Sequence, residues 1–236
     1  YGGRTYFRRW NRLVKFGGGL WITKAVHDFD QLNWLSGGNA LRVSAFSSLS
    51  HYKPKKGAAL RCRDCKLKHS CPDFLDIDRA EGVSAELAKI IEVNGGVPRD
   101  LCLYNSDKDT FDNGVAIVEF DNDVRASYSA NVVATKSNRA LTVSGTDGLI
   151  EADQERGIVT LTRRHGGKVL SHDLRPLMDA GHGGADNRIL SDFFDCCRSG
   201  RKPRSGCPEG RASVALGLAA RKSSDTGKTV DVRLFS

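Results

Sequence analysis

The alternation of hydrophobic and polar positions divides the chain into a helical start, a strand-rich middle and a helical end. Over residues 18–36, apolar side chains recur at helical spacing, and Gly37 follows as a typical helix stop. Between residues 115 and 172 the period falls to two, as in half-buried strands joined by tight turns. Helical spacing returns over 184–198 and 208–225, before a short valine-rich strand.

These elements predict an α+β fold in which a largely antiparallel, open sheet carries helices on one face. We expect a single domain over residues 1–236. The predicted strands cover 41–49, 115–120, 124–133, 139–144, 149–152, 158–163, 168–172 and 230–232. A further short helix is predicted over 84–93, with Ser84 as its N-cap. The helix over 184–198 is expected to bury Ile189, Leu190, Phe193, Phe194 and Cys197.

The first long helix carries polar residues that are unusual for a core helix. Thr23, His27 and Asp30 are spaced i, i+4 and i+7, so one continuous helix would place them on one stripe. Lys24 and Asp28 lie beside them in the sequence. Two interpretations fit this pattern, a helix that lines a cleft and a partly exposed helix with a satisfied histidine.

The composition is that of an ordinary globular chain, with 236 residues of which 39% are hydrophobic and 27% are charged. No run of 18 apolar residues occurs, so we expect no membrane-spanning segment and no membrane partner. The net charge of +8 is scattered over short runs, which favours a solvated surface over nucleic-acid binding and also suits an anionic ligand. Seven cysteines without a secretory leader pattern favour a reducing compartment, so we expect a cytoplasmic protein.

The first 16 residues interleave aromatic and basic side chains. They could form a nucleic-acid arm, or an entry segment that packs under the following helix. The chain begins at Tyr1 rather than Met, so we expect either processing or a fragment of a longer chain.

Three cysteines occur close together in an irregular, insertion-like loop over residues 51–82. The spacing is Cys62-x2-Cys65-x5-Cys71, and Cys102 or His69 could supply a fourth ligand. Such a set could hold a structural zinc ion that orders the loop. The alternative is a loop with three reduced thiols, since paired C-x2-C units are the more complete zinc signature.

Several segments together carry a family resemblance. They are the glycine-led helix over 17–35, the lead-in over 4–10, the stretch over 102–109, the Gly-His-Gly-Gly-Ala-Asp string over 181–186, and the Ala-rich helix and valine strand at the end. In these segments the chain resembles the substrate domain of the Gfo/Idh/MocA oxidoreductases, which include glucose-fructose oxidoreductase and inositol dehydrogenase. The resemblance implies a fold like the C-terminal domain of glyceraldehyde-3-phosphate dehydrogenase.

The resemblance also implies roles for named residues. His27 matches the family's acid/base or substrate-binding histidine, and Lys24 is the second catalytic candidate. Asp30 matches a recurrent helix aspartate with a hydrogen-bonding or structural role. Thr23 stands where many members carry an aspartate, which leaves the partner of His27 open between Lys24 and Asp28. The remaining substrate-binding candidates are Asn105, His182 and Asp186.

The resemblance further implies hydride transfer between a sugar or polyol and NAD or NADP. The chain lacks the family's Gly-rich nucleotide-binding turn and its Glu-Lys-Pro motif, so we expect only the substrate and oligomerisation half, inactive by itself. A homo-oligomer through the open sheet face is also expected. Two other functions fit the same residues: an NAD-dependent glycoside hydrolase, favoured by the string over 181–184, and a non-catalytic carbohydrate-binding module.

Overall fold

The computed structural model describes residues 3–77, 85–93, 96–135, 137–178 and 181–235. The chain divides into two compact units. The first comprises residues 1–134 together with 207–236, and the second comprises residues 135–206. None of the helices in the described part of the chain is long and apolar enough to span a membrane.

The chain begins with helices, continues through a strand-rich middle and ends with two helices and a short strand. The helices are α1 (Val14–Gly17), α2 (Leu20–Thr23), α3 (Ala25–Ser36), α4 (Ala85–Val93), α5 (Ala185–Ser199) and α6 (Cys207–Thr226). The strands are β1 (Ala40–Ser48), β2 (Asn113–Phe120), β3 (Arg125–Asn131), β4 (Ala140–Ser144), β5 (Gly148–Asp153), β6 (Ile158–Arg163), β7 (Val169–Asp173) and β8 (Val230–Asp231). Short 3-10 turns cover Gly3–Arg8, Trp10–Arg12, Arg175–Leu177, Gly181–Gly184 and Val232–Phe235. The predicted strands and the helices predicted over 84–93, 184–198 and 208–225 are therefore present within a few residues of their predicted bounds. Ser84 lies outside the described residues.

The first unit is built on a four-stranded antiparallel sheet in the order β3-β2-β1-β8. Its strands alternate as predicted. Val43 and Val118 are cross-strand partners on the buried face, and Phe46 and Val115 are partners on the other face. Helices α3 and α6 pack against the buried face, where Phe29 and Leu216 are fully enclosed. This arrangement confirms an α+β unit with helices on one face of an antiparallel sheet.

Helix α6 fixes the position of α2 and α3. Gly217 of α6 lies directly against α2. A Cβ atom at this position would be only 2.9 Å from Ile22 Cδ1 and 3.0 Å from the Trp21 carbonyl oxygen, so a larger residue would not fit there. One turn earlier, the Ser213 hydroxyl donates to Asp30 Oδ1 at 2.9 Å. The two contacts hold the helix that carries the predicted site rigidly on the core.

The prediction of one continuous helix over 18–36 is wrong. The helix breaks at Lys24, whose backbone angles are φ −131° and ψ −49°. Thr23 ends α2, and its hydroxyl donates back to the carbonyl of Gly19 at 2.9 Å, a bond that competes with regular helix geometry. The C-terminal end was predicted correctly: Gly37 adopts φ 65° and its N–H donates to the Asn33 carbonyl.

The second unit contains a separate antiparallel sheet, β4-β5-β6-β7, and helix α5. The strand-rich middle of the chain thus forms parts of two sheets rather than one meander. The prediction that α5 buries its apolar side is also wrong, since each of the predicted core residues there is exposed. These residues are Ile189, Leu190, Phe193, Phe194 and Cys197. Helical periodicity identifies an apolar face but not the surface that covers it.

Candidate functional site

The first turn of α3 presents His27 to solvent from a helix whose other side is buried. The next two residues face inward: Asp28 accepts a hydrogen bond from the Tyr128 hydroxyl at 2.9 Å, and Phe29 is fully enclosed. The Phe29 ring stacks on Trp21 with centroids 6.1 Å apart. His27 is consequently an exposed imidazole on a well-anchored helix, and Asp28 is directed to the sheet.

Thr23 has a partner that sequence analysis missed. The Tyr6 hydroxyl lies 2.7 Å from Thr23 Oγ1, which in turn donates to the Gly19 carbonyl. Tyr6 is buried, and this burial raises the pKa of its phenol, while the hydrogen bond with Thr23 partly offsets the shift. The phenol therefore stays protonated at neutral pH and can donate to Thr23. This contact also favours the entry-segment interpretation of the first 16 residues.

The break in the helix changes the predicted polar stripe. Lys24 is half-buried at the break, between Thr23 in α2 and His27 in α3. Asp30 is hydrogen-bonded to Ser213 of α6, which agrees with a bonding or structural role. Thr23, Lys24, His27 and Asp30 therefore lie around the α2–α3 junction. They do not form the single helical stripe that the sequence predicted, because the helix is broken at Lys24.

Asn105 is not part of this junction. Its side chain hydrogen-bonds to the backbone of the cysteine-bearing loop over residues 51–82. Its Oδ1 accepts from the backbone N–H of Lys55 at 2.7 Å, and its Nδ2 donates to the carbonyls of Lys55 and Ala58. The side-chain amide therefore fixes the backbone of the loop on both its donor and acceptor sides. As a substrate-binding residue it stays a prediction.

In the second unit, two of the predicted substrate-binding residues, His182 and Asp186, form a histidine–carboxylate pair. His182 Nδ1 lies 3.0 Å from both carboxylate oxygens of Asp186, and both side chains are exposed. His182 adopts φ 52°, which is uncommon for a residue with a side chain and is often associated with a functional constraint. A carboxylate on Nδ1 orients the ring and leaves Nε2 for a ligand.

The four predicted metal-binding cysteines all line one small cavity of the first unit. They are Cys62, Cys65, Cys71 and Cys102. All four are free thiols, and within the described ranges no three His, Cys, Asp or Glu side chains surround a point that suits a single metal ion. The geometry therefore does not support the predicted zinc ion.

The chain is similar in sequence to a known protein family and to a curated protein. A family model for Gfo/Idh/MocA proteins, described as "Oxidoreductase family, C-terminal alpha/beta domain", matches residues 1–232. The chain is similar to "Putative oxidoreductase YteT" of Bacillus subtilis (strain 168), with 26% identity over 263 aligned positions. That alignment covers 99% of this chain and 60% of the relative.

Solved structures share the fold at low identity. Levoglucosan dehydrogenase in complex with NADH and L-sorbose aligns with a TM-score of 0.63 and 15% identity, over 91% of this chain and 50% of that one. UDP-N-acetylglucosamine 3-dehydrogenase GnnA from Acidithiobacillus ferrooxidans aligns with a TM-score of 0.55 and 14% identity, over 89% and 48%. The chain spans about half the length of these structures and 60% of the curated relative.

Proposed function

Because this chain belongs to the family of Gfo/Idh/MocA oxidoreductase C-terminal domains, we propose that it is the substrate-binding half of a nicotinamide-dependent sugar or polyol dehydrogenase. The observation that carries the proposal is the exposed imidazole of His27 on a helix anchored to the core. The printed names of the structural relatives, which include two sugar dehydrogenases, support a sugar-like substrate.

In the proposed mechanism His27 moves the hydroxyl proton. It accepts that proton when the substrate is oxidised and returns it when the carbonyl is reduced. Lys24, three residues earlier at the helix break, is assigned the electrostatic role of stabilising the negative charge that the reacting oxygen gains. The bound nicotinamide would supply or accept the hydride.

The dinucleotide itself does not fit the residues of this chain. A dinucleotide fingerprint needs a glycine-rich turn between a strand and a helix. The Gly17-Gly18-Gly19 run instead connects two helices, because Gly17 ends α1 and Leu20 begins α2. The proposal therefore assigns NAD or NADP to a part of the protein outside these residues, and assigns to this chain the groups that bind and deprotonate the substrate.

Asp186 and His182 are proposed to bind a sugar hydroxyl. The carboxylate holds the ring by Nδ1, so that Nε2 can exchange a hydrogen bond with the substrate. Asp186→Ala is expected to raise KM about tenfold with little change in kcat, since one oriented hydrogen bond is worth roughly 1–1.5 kcal/mol. Steady-state kinetics of the intact protein measure both constants. Asp195→Ala, an exposed carboxylate on the same helix, is the control, and an unchanged KM for Asp186→Ala contradicts the assignment.

A glycoside hydrolase that uses NAD transiently is the second candidate. It is favoured by the strained His182 within the glycine-rich turn over 181–184, the string that pointed to this group. The two activities differ in their products. Net formation of reduced nicotinamide from a free sugar supports the dehydrogenase, and release of nitrophenol from nitrophenyl glycosides without net reduction supports the hydrolase.

We also propose that copies of the chain associate through the open face of the first sheet. On that face Phe46 is 66% exposed and Ile117 is 63% exposed, whereas the opposite face is covered by helices. Large exposed apolar side chains on a regular sheet are typical of an interface between subunits.

The free thiols of all seven cysteines support a reducing, cytoplasmic location.

Replacing Ile117 with glutamate should weaken this association at least about tenfold, because burying one charge at the interface costs more than 1.4 kcal/mol. Light scattering during size-exclusion chromatography reads out the mass across a dilution series. Val169→Glu is a matched control, since Val169 is an equally exposed apolar strand residue of the other sheet. A wild-type monomer at all concentrations, or an unchanged mass for Ile117→Glu, contradicts the proposed interface.

A further inference from the structure

Trp10 presents an exposed indole beside the α2–α3 junction. The residue is 53% exposed, whereas Tyr6 and Phe7 in the preceding turn are buried. We propose that the ring of a sugar stacks on the Trp10 indole when the sugar binds at this junction. The inference rests on the function proposed above and adds a specificity-determining residue to the same site.

The close approach of Trp10 to Thr23 depends on a glycine. A Cβ atom on Gly17 would lie only 2.7 Å from Thr23 Cγ2 and 3.1 Å from Trp10 Cζ3. The two side chains therefore meet over the same backbone position, which is possible because glycine has no side chain. This contact places the indole next to Thr23, one of the predicted substrate-binding residues.

The backbone that carries Trp10 is held from both sides. Buried Arg12 ends the same turn, and its guanidinium donates to the Asp107 side chain at 2.6 Å and to the Asp107 carbonyl at 2.8 Å. The same guanidinium donates back to the Arg9 carbonyl at 3.0 Å, and the Leu13 N–H donates to the Trp10 carbonyl at 3.2 Å. A stacking surface on a fixed backbone needs little further ordering when a ligand binds.

Thr23 supplies a polar contact directly beside this surface. Its hydroxyl donates to the Gly19 carbonyl at 2.9 Å and lies 2.7 Å from the Tyr6 hydroxyl, whose proton it accepts. A threonine hydroxyl has one proton and two lone pairs, so these two bonds leave one lone pair. Thr23 can use it to accept a hydrogen bond from a sugar hydroxyl.

An aromatic face next to a fixed polar group suits the two kinds of surface on a sugar ring. The C–H groups on the faces of a pyranose ring are attracted to the negative face of an indole, while its hydroxyl groups point to the edges. Small-molecule sites commonly combine aromatic side chains with a few placed polar groups. An open-chain polyol has no flat face, so the pairing of Trp10 with Thr23 favours a cyclic sugar.

The first test is steady-state kinetics of the intact protein with D-glucose, D-galactose and D-mannose. For the best substrate of this panel, Trp10→Ala should raise KM about tenfold, because an aromatic contact is worth roughly 0.5–1.5 kcal/mol beyond the area that it buries. Trp10→Phe retains an aromatic face and should stay within about threefold of the wild-type KM. The KM of the nicotinamide should not change in either variant.

The control is Trp34→Ala. Trp34 is 78% exposed and lies near the end of α3, two helical turns beyond His27, so its removal should leave the sugar KM unchanged. An unchanged sugar KM in Trp10→Ala, or an equal rise in Trp34→Ala, would overturn the inference. A rise in the nicotinamide KM alone would also overturn it, because the indole would then contact the dinucleotide.

Inhibition by the matching open-chain alditols separates ring stacking from a general loss of affinity. D-glucitol, D-galactitol and D-mannitol are measured as competitive inhibitors of the sugar. Trp10→Ala should change their inhibition constants less than about twofold, since an open chain forms no stacked face. A rise as large as that of the sugar KM would contradict stacking.

Fluorescence distinguishes failure of this inference from failure of the proposed function. If the intact protein oxidises no sugar of the panel, the dehydrogenase proposal fails, and titration with the same sugars still tests Trp10. The tryptophan emission should change in the wild type and in Trp34→Phe, but not in Trp10→Phe. A wild-type emission that no sugar alters, or the same change in Trp10→Phe, would overturn the stacking role. Sugar oxidation with an unaltered KM in Trp10→Ala would overturn it as well and leave the proposed function standing.

Discussion

Replacing His27 with alanine should lower kcat of the intact protein about 10²–10⁴-fold, because a positioned general acid or base contributes that much to the rate. The loss should appear in kcat more than in KM, since the imidazole is assigned to proton transfer rather than to substrate affinity. The side chain is exposed, so its removal leaves the core intact and circular dichroism should be unchanged.

The control for this variant is His165→Ala. His165 is also exposed and belongs to the second unit, in the turn between β6 and β7. It should retain wild-type turnover. Near-normal kcat for His27→Ala would remove His27 from the mechanism.

Replacing Asp112 with alanine should lower the free energy of unfolding of the first unit by about 3–5 kcal/mol. Asp112 is fully buried, and its carboxylate accepts hydrogen bonds from the backbone N–H groups of Ser50, His51 and Tyr52 at 2.8–3.0 Å. Removing the carboxylate leaves these donors buried without their partner. The carboxylate also joins the end of β1 to the start of the cysteine-bearing loop, so the loop should loosen together with the sheet.

The same residue gives a pH dependence with a definite sign. Burial opposes the charge of Asp112, but the hydrogen bonds from Ser50, Tyr52 and His51 outweigh it, so the pKa of Asp112 is lowered. A lowered pKa in the folded state gives stability that is fully present above the unfolded pKa of about 3.9. That stability is lost as the pH falls through the folded pKa. The wild-type advantage over Asp112→Ala should therefore be constant near neutral pH and shrink in acid.

Urea unfolding at several pH values measures this difference. Asp64→Ala serves as the control, since Asp64 is an exposed carboxylate of the same unit and should change the free energy of unfolding by less than about 0.5 kcal/mol. A difference between wild type and Asp112→Ala that grows towards low pH would contradict the assigned charge.

The strands of the first sheet were predictable from sequence because one face of that sheet is buried against helices. In β1 the buried Val43 and Ala45 alternate with the exposed Arg42 and Phe46, which identifies that face directly. The way in which the strands assemble into two sheets could not be predicted from the sequence. Period-two patterns on both sides of residues 134–138 look alike, so local spacing does not tell that β2 and β3 join β1 and β8 while β4–β7 form their own sheet.

The helix errors have different physical causes. At Lys24 the helix breaks without glycine or proline, and the polar contacts of Thr23 with Gly19 and Tyr6 come from tertiary structure that no local pattern encodes. In α5 the apolar face was identified correctly, but its exposure depends on neighbouring surfaces rather than on helical spacing.

The candidate site was partly predictable for the same reasons. The sequence analysis named His182 and Asp186 as substrate-binding candidates from the family resemblance and grouped Cys62, Cys65 and Cys71 by their spacing, and in the structure each set lies together. The partners of Thr23, Asp28 and Asp30 lie from 17 to 183 residues away along the chain, so they became visible only in the fold.

In the proposed function, this chain binds a sugar-like substrate for hydride transfer to a nicotinamide, and His27 moves the proton. The direct measurement follows deuterium from fully carbon-deuterated sugars incubated with the intact protein and NAD or NADP, using mass spectrometry of the nicotinamide product. We predict one deuterium in the reduced nicotinamide for the wild type, and a strongly reduced rate of its appearance for His27→Ala. Absence of deuterium from the nicotinamide across the sugar panel, or its transfer at the same rate in His27→Ala, would contradict the account.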